Sequence, residues 1–452
     1  MSLLFLVSGG YAAAPKQKTS PSQPVFQNLS LSLSHSTLNA NMKKTILTTL
    51  LCLLGMTVAT AQEALWSGTQ VQSPVVNPDH TVTFSIHAPK ASRVMVTGDF
   101  LSPTTIDTPR GKQEITLPAE LTEGKNGVWT FTTAPLAPEF YNYSFIVNGM
   151  RMLDPANVYI SRDVASLTNI FIVSHADGDR GDLYRVNEVP HGNVSKVWYD
   201  SPTLKMKRRL TVYTPAGYER GRNYPVMYLL HGAGGDEDAW TTLGRTAQIM
   251  DNLIATGKAR PMIVVMPNGN VDSQAAPGEW SRGMYQPSFM ASINHTTRPA
   301  ATMDESFMDI VKFVEGNYKV AKGKKNRAVC GLSMGGGHTF AITKRYPQSF
   351  DYIGLFSAGL HISGGSDRNA SFYDLLQQNQ EVQKQLATLF NSKPRLYWIA
   401  IGKTDFLYQQ NADLRRYLDE KGYKYEYRES DGGHIWRNWR IYLTEFAQRL
   451  FK

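Results

Sequence analysis

The run Arg327-Ala328-Val329-Cys330-Gly331-Leu332-Ser333-Met334-Gly335-Gly336-Gly337 decides how the chain is read. It holds Gly-x-Ser-x-Gly at 331–335, after a β-type stretch and before a segment of helical character that reaches Tyr346-Pro347. A strand that turns sharply into a helix forces the central serine into a strained conformation and exposes its hydroxyl at the carboxyl edge of a sheet. Side chains at positions 331 and 335 would clash in so tight a turn. The Met334 N–H, first in the helix, is then placed to stabilise an oxyanion. The motif alone is weak, and a structural serine in a Gly-rich turn is the bland alternative; strand and helix on its two sides make it specific.

On either side of this run, apolar strands alternate with amphipathic helices. Pro225-Val226-Met227-Tyr228-Leu229-Leu230 ends in a glycine loop, and Met262-Ile263-Val264-Val265-Met266 ends at Pro267-Asn268-Gly269. Residues 246–256 between them read as a helix. Asp304 caps another, whose Phe307, Ile310, Val311 and Val314 follow the i, i+3, i+4, i+7 pattern. Such alternation predicts an α/β fold, a mostly parallel sheet with helices on both faces, over 194–452.

A serine nucleophile needs a base, and the base an orienting acid, in chain order Ser, Asp, His for a sheet of this kind. Leu396-Tyr397-Trp398-Ile399-Ala400-Ile401 reads as a buried strand with Gly402-Lys403-Thr404-Asp405 at its carboxyl end. A further strand, 423–428, precedes Asp431-Gly432-Gly433-His434 and a helix with Trp436, Trp439, Leu443, Phe446 and Leu450 on one face. Asp405 and His434 are therefore expected on loops at the edge where Ser333 stands, as orienter and general base. His338 is expected to pack away from the site, and His361 lacks a following acid. Asp431 is an alternative acid, but a separation of three residues gives poor imidazole geometry. The loop His231-Gly232-Ala233-Gly234-Gly235 ends the first apolar strand, so the Ala233 N–H is the expected second oxyanion donor and His231 is read as structural.

Between about residues 71 and 174 the pattern changes to short alternating runs separated by turn residues, among them Thr81-Val82-Thr83-Phe84-Ser85-Ile86 and Tyr141-Asn142-Tyr143-Ser144-Phe145-Ile146-Val147. Their spacing predicts a small antiparallel β-sandwich over 62–175. A polar linker is expected at 176–193. Trp129 sits in a strand and is read as core.

The remaining N-terminal residues are excluded from fold reasoning. From Met42 the chain reads Met-Lys-Lys, then an uncharged apolar run, then Ala59-Thr60-Ala61-Gln62, which predicts a signal peptide at 42–61 with cleavage after Ala61 and an exported, periplasmic or extracellular protein. The run is shorter than the roughly 20 residues of a membrane span, so no stable anchor is expected. Residues 1–41 are read as a mis-called upstream extension, with a disordered leader as the alternative.

Of the chain's 452 residues 42% are hydrophobic, which excludes disorder throughout, and two cysteines exclude a disulfide scaffold or a cysteine-rich zinc module. Mean hydropathy of −0.31 argues against a polytopic membrane protein. The net charge of +9 suggests nucleic acid at first sight. Lys16, Lys18, Lys43 and Lys44 fall in the leader with no acid, however, which leaves +5 over 391 residues and no case for nucleic acid. No metal cluster or dinucleotide fingerprint appears, so no cofactor is expected.

Together, Leu229-Leu230-His231-Gly232-Ala233-Gly234-Gly235, Gly331-Leu332-Ser333-Met334-Gly335-Gly336, the 402–405 segment and Gly432-Gly433-His434 resemble the esterase D group of α/β-hydrolases, above all carbohydrate esterase family 1. Phe84-Ser85-Ile86-His87-Ala88-Pro89, Gly98-Asp99-Phe100, Gly127-Val128-Trp129 and Asp154-Pro155-Ala156-Asn157 resemble the carbohydrate-binding module ahead of glycogen-branching enzymes. These resemblances imply an α/β-hydrolase fold and a secreted serine esterase that removes feruloyl or acetyl groups from arabinoxylan. An aromatic acyl group needs an apolar slot beside Ser333, for which Trp280, Met284, Tyr285, Phe406 and Leu407 are the candidates. The alternatives are a catecholate siderophore esterase and a non-catalytic glycan-binding protein with a hydrolase-like domain.

Overall fold

Eight strands form one sheet in the order Asn193–Ser201, Met206–Thr214, Ile263–Pro267, Val226–Leu230, Arg327–Leu332, Tyr352–Phe356, Leu396–Gly402 and Glu426–Ser430. The computed structural model describes residues 71–108, 111–164, 166–280, 300–362 and 370–452. The expected signal peptide, Met284 and Tyr285 lie outside the described residues.

The expectation of a mostly parallel sheet needs correction at one edge. The last five pairings are parallel and the first two antiparallel; in the first, a short turn between Ser201 and Met206 can only reverse the chain. With the N-terminal strands antiparallel as well, antiparallel pairing predominates over the described chain. The central strands are buried along their whole length and read as unbroken apolar runs because helices cover both faces. On one face, Met303–Asn317 contributes Phe307, Ile310, Val311 and Val314 to a cluster with Tyr228, Val265, Val329 and Ile353. A capping box starts this helix: Thr302 and Glu305 satisfy one another's backbone N–H groups. On the other face, Trp436–Ala447 buries Trp439, Tyr442, Leu443 and Phe446 against Cys330, Phe356 and Trp398.

N-terminal to this sheet lie a four-stranded sheet built around Val82–His87 and Val128–Thr132 and a larger one built around Val94–Gly98, Glu139–Val147 and Ser166–Val173, both antiparallel. Val82, Phe84, Ile86 and Trp129 of the first share an apolar cluster with Val94, Val96, Tyr143, Phe145 and Phe171 of the second. Trp129 is core here, its indole N–H donating to Ala88 O at 3.1 Å.

The stretch read as a polar linker is built into the fold. It contains the helix Arg180–Tyr184, and Tyr184 is fully buried in one cluster with Phe140 of the β region and Tyr213, Met227 and Leu229 of the large sheet. Arg440 ties the same seam from inside: its guanidinium donates to Leu243 O, Phe140 O and Glu139 Oε1 at 3.0–3.2 Å. Residues 69–452 accordingly form one compact unit.

Candidate active site

Val226–Leu230 leads into the loop 231–238, Arg327–Leu332 into Ser333, Leu396–Gly402 into Asp405 and Glu426–Ser430 into His434, all at carboxyl ends of the parallel strands, where α/β sheets place their ligands. Ser333 stands between strand and helix at φ 52° and ψ −115°, a backbone that costs a non-glycine residue on the order of 1–3 kcal/mol. Hydrogen bonds hold it there. Its N–H donates to Phe356 O at 2.9 Å, and its carbonyl accepts from Gly359 at 2.8 Å and Gly337 at 3.0 Å. The two motif glycines are required by space: a Cβ on Gly331 would stand 2.5 Å from Gly335 O, and one on Gly335 2.5 Å from His231 O.

His434 Nδ1 lies 3.0 and 2.9 Å from the two oxygens of Asp405, whose side chain is wholly buried. An ionised carboxylate only accepts, so Nδ1 carries the proton and Nε2 keeps the lone pair that a general base needs. Asp405 is held by the Leu407 N–H, which donates to Oδ1 at 2.9 Å. Trp439 packs edge-on against the imidazole at 4.9 Å and Phe406 lies at 4.5 Å, fixing the ring from two sides.

On the other side of Ser333, His231 organises the glycine loop. Its Nε2 accepts from the Gly269 N–H at 2.7 Å, so its Nδ1 bears the proton and donates to Gly232 O at 2.7 Å. Gly235 N–H donates to the same carbonyl at 3.1 Å. In a trans peptide the carbonyl and the following N–H point in opposite directions. The Ala233 N–H is therefore turned away from this inward anchor, and Ala233 is the exposed residue of the loop that lines the cleft. Burial holds the His231 pKa below its ordinary value, and its two hydrogen bonds set the tautomer.

Ser333 and His434 open together onto a cleft of about 1280 Å³. One wall comes from the large-sheet region, with Ala233, Leu332, Ile435, Trp436 and Trp439; the other comes from the N-terminal β region, with Asp99, Phe100, Tyr141, Asp163 and Val164. A serine hydroxyl, an imidazole oriented by a buried carboxylate, and backbone N–H groups at a helix start and a glycine loop are the parts of acyl transfer.

The family model described as a putative esterase matches residues 201–450. The chain belongs to this esterase family. An endo-1,4-beta-xylanase/feruloyl esterase of Xylanibacter ruminicola is 29% identical over 388 residues, covering 84% of this chain and 46% of the relative, so the chain spans about half of that protein's length. An esterase of Mycobacterium tuberculosis is 25% identical over 360 residues, covering 71% of this chain and 72% of the relative. Among solved structures, the enterobactin esterase from Shigella flexneri is 16% identical with a TM-score of 0.50, over 86% of this chain and 97% of that one. At that identity the likeness is one of fold, and its span takes in the β region.

The esterase cleft gathers some of the expected residues and leaves out others. Asp431, the alternative acid, pairs with Lys403 Nζ at 2.9 Å, while His434 pairs with Asp405. Trp280 is half-buried and does not line the cleft; its neighbour Glu279 instead pairs with Arg209 at 2.6 Å. Phe406 is 76% exposed beside His434, and Leu407 contributes its backbone to Asp405. Reasoning from sequence places Trp436 and Trp439 on one helix face without assigning them to the cleft that both line, and it misses the whole β-region wall. The signal for Trp436 was its place two residues after His434; the wall has no local signal. Among the described residues no group of three or more His, Cys, Asp or Glu is arranged to hold a metal, and no helix is long and apolar enough to cross a membrane.

Proposed function

We propose that the protein is an exported serine carboxylic-ester hydrolase that releases acyl groups, feruloyl in preference to acetyl, from the side chains of xylan. The observation that carries this reading is His434, paired with Asp405, opening with Ser333 onto one cleft that Ala233 also lines, with Met334 first in the helix after the serine. In the proposed reaction Ser333 Oγ attacks the ester carbonyl while His434 Nε2 takes its proton. The N–H groups of Ala233 and Met334 stabilise the oxyanion. Collapse expels the sugar hydroxyl, which receives the proton from His434, and a water activated by the same nitrogen then frees the acid. Asp405 keeps the imidazole oriented and stabilises its charged form.

The likeness to the Xylanibacter xylanase/feruloyl esterase supports the feruloyl choice, as does a cleft with Leu332, Ile435, Trp436 and Phe100 available to an aromatic acyl group. In this reading the polysaccharide lies along the cleft wall that the β region lines, and no separate glycan platform is needed. The test compares ferulate release from methyl ferulate and arabinoxylan with acetate release and with hydrolysis of a catecholate siderophore ester. Feruloyl turnover is expected to lead, and Ser333→Ala is expected to lower it by at least about 10⁴-fold. Unchanged turnover in Ser333→Ala would refute the serine mechanism. Faster turnover of the siderophore ester would move the substrate class.

A further inference from the structure

The loop 231–238 carries two consecutive buried acids, and each is matched by one arginine. Glu237 accepts from Arg209 Nε at 2.7 Å, from Asn268 Nδ2 at 2.9 Å and from the Ala276 N–H at 2.9 Å, all partners from the large-sheet region. Asp236, 2% exposed, accepts from the Asp238 N–H at 3.0 Å and pairs with Arg162, which belongs to the β region. Arg162 lies at the end of the strand Ile160–Asp163 and also donates to Val164 O at 3.2 Å, holding the turn that follows. Val164, at φ 55°, presses on Gly234 of the same loop: a Cβ there would stand 2.8 Å from both Val164 methyl carbons, and Gly234 itself is at φ 77°. Asp163 and Trp436 both line the cleft, and Trp436 packs edge-on to Trp439, the residue that packs against His434. Two residues of the β region, Arg162 and Val164, thus hold the glycine loop from outside.

We infer that Arg162 and Val164 form a positioning clamp, so that the N-terminal β region is required for acyl transfer itself and not only for holding a polysaccharide. The inference rests on the serine-esterase reading above. Its physical basis is that two N–H donors stabilise an oxyanion only when aimed to within a fraction of an ångström. Glycine gives the loop little stiffness of its own. Arg162 and Val164 supply that stiffness from outside, and removal of the guanidinium leaves the buried Asp236 carboxylate without its countercharge.

The test uses the full chain and methyl ferulate, an ester too small to gain from polysaccharide contacts. Arg162→Met is expected to lower kcat roughly 10- to 100-fold while KM moves less than about 3-fold. The acid limb of the pH profile should stay where it is, since Asp405 and His434 are untouched. Arg162→Lys should recover part of kcat. Because the single variant strands a buried charge, Arg162→Met/Asp236→Asn provides a neutral, foldable companion, checked by its melting curve. It should be folded and still low in kcat. A folded double variant with wild-type kcat, or a loss confined to KM, would overturn the clamp. If Ser333→Ala retained activity, the esterase reading would fail instead; a dead Ser333→Ala beside a fully active Arg162→Met would sink the clamp alone.

Discussion

Asp405 and His434 meet from two adjacent strands of one sheet, 29 residues apart in the chain, and their geometry needs nothing beyond that sheet and the helix after it. The loop 231–238, on the other side of Ser333, is anchored instead by His231 against Gly269, by Arg209 from the sheet edge and by Arg162 from the β region, 74 residues upstream of its partner. The proposed acid–base pair is a local product of strand order. The oxyanion side is assembled from distant parts, so its precision depends on how the β region docks.

Substitutions on the two sides should therefore fail differently. The largest effect is expected on the acid–base side, where Asp405→Asn lets the tautomer of His434 reverse and should cost about 10⁴-fold in kcat while the protein stays folded. A loss of less than 10-fold would mean that another group orients the imidazole. On the loop side His231→Asn, which cannot bridge Gly269 and Gly232 as the ring does, should lower kcat by roughly 10-fold with KM little changed. An unchanged kcat would show that the Gly235 N–H alone holds the Gly232 carbonyl. Gly234→Ala should fall between wild type and Arg162→Met, since its strain at positive φ is joined by contact with Val164.

The smallest effect concerns acid stability. His338 is lowered from 6.5 to about 4, first by burial and then by the neighbouring His231, and burial lowers His231 too. The unfolded chain takes up these protons first, so the stability linked to them is complete above about pH 6.5 and declines as the pH falls toward 4. Melting temperature should drop across that window, and His338→Gln should flatten the drop. A wild-type slope in that variant would assign the acid loss to other groups.

How much could be read without the structure follows from the same contrast. The strand, elbow and helix around Ser333 were legible because two glycines and an apolar run fix them within eleven residues. Asp405 and His434 were legible because each ends a recognisable strand. The antiparallel edge was not, since Asn193–Ser201 and Met206–Thr214 lack a pattern that separates them from parallel strands until their short turn is seen as a reversal. Tyr184 gave no sign that a polar-looking stretch carries a buried anchor; its burial depends on Phe140 and the large sheet arriving from elsewhere. Arg162 was equally silent, because a lone arginine in a strand acquires meaning only from the carboxylate it meets. Trp280 was a loop aromatic without a partner in the sequence, and the cleft is lined by Trp436 instead.

The central claim, an acyl group carried on Ser333, is tested most directly by mixing the protein with a feruloyl ester, quenching in acid within the first turnovers and mapping the modified peptide by mass spectrometry. The account predicts a feruloyl ester on Ser333 that forms in the wild type and is absent from Ser333→Ala. Ester turnover with no adduct on Ser333, or an adduct on another side chain, would contradict it.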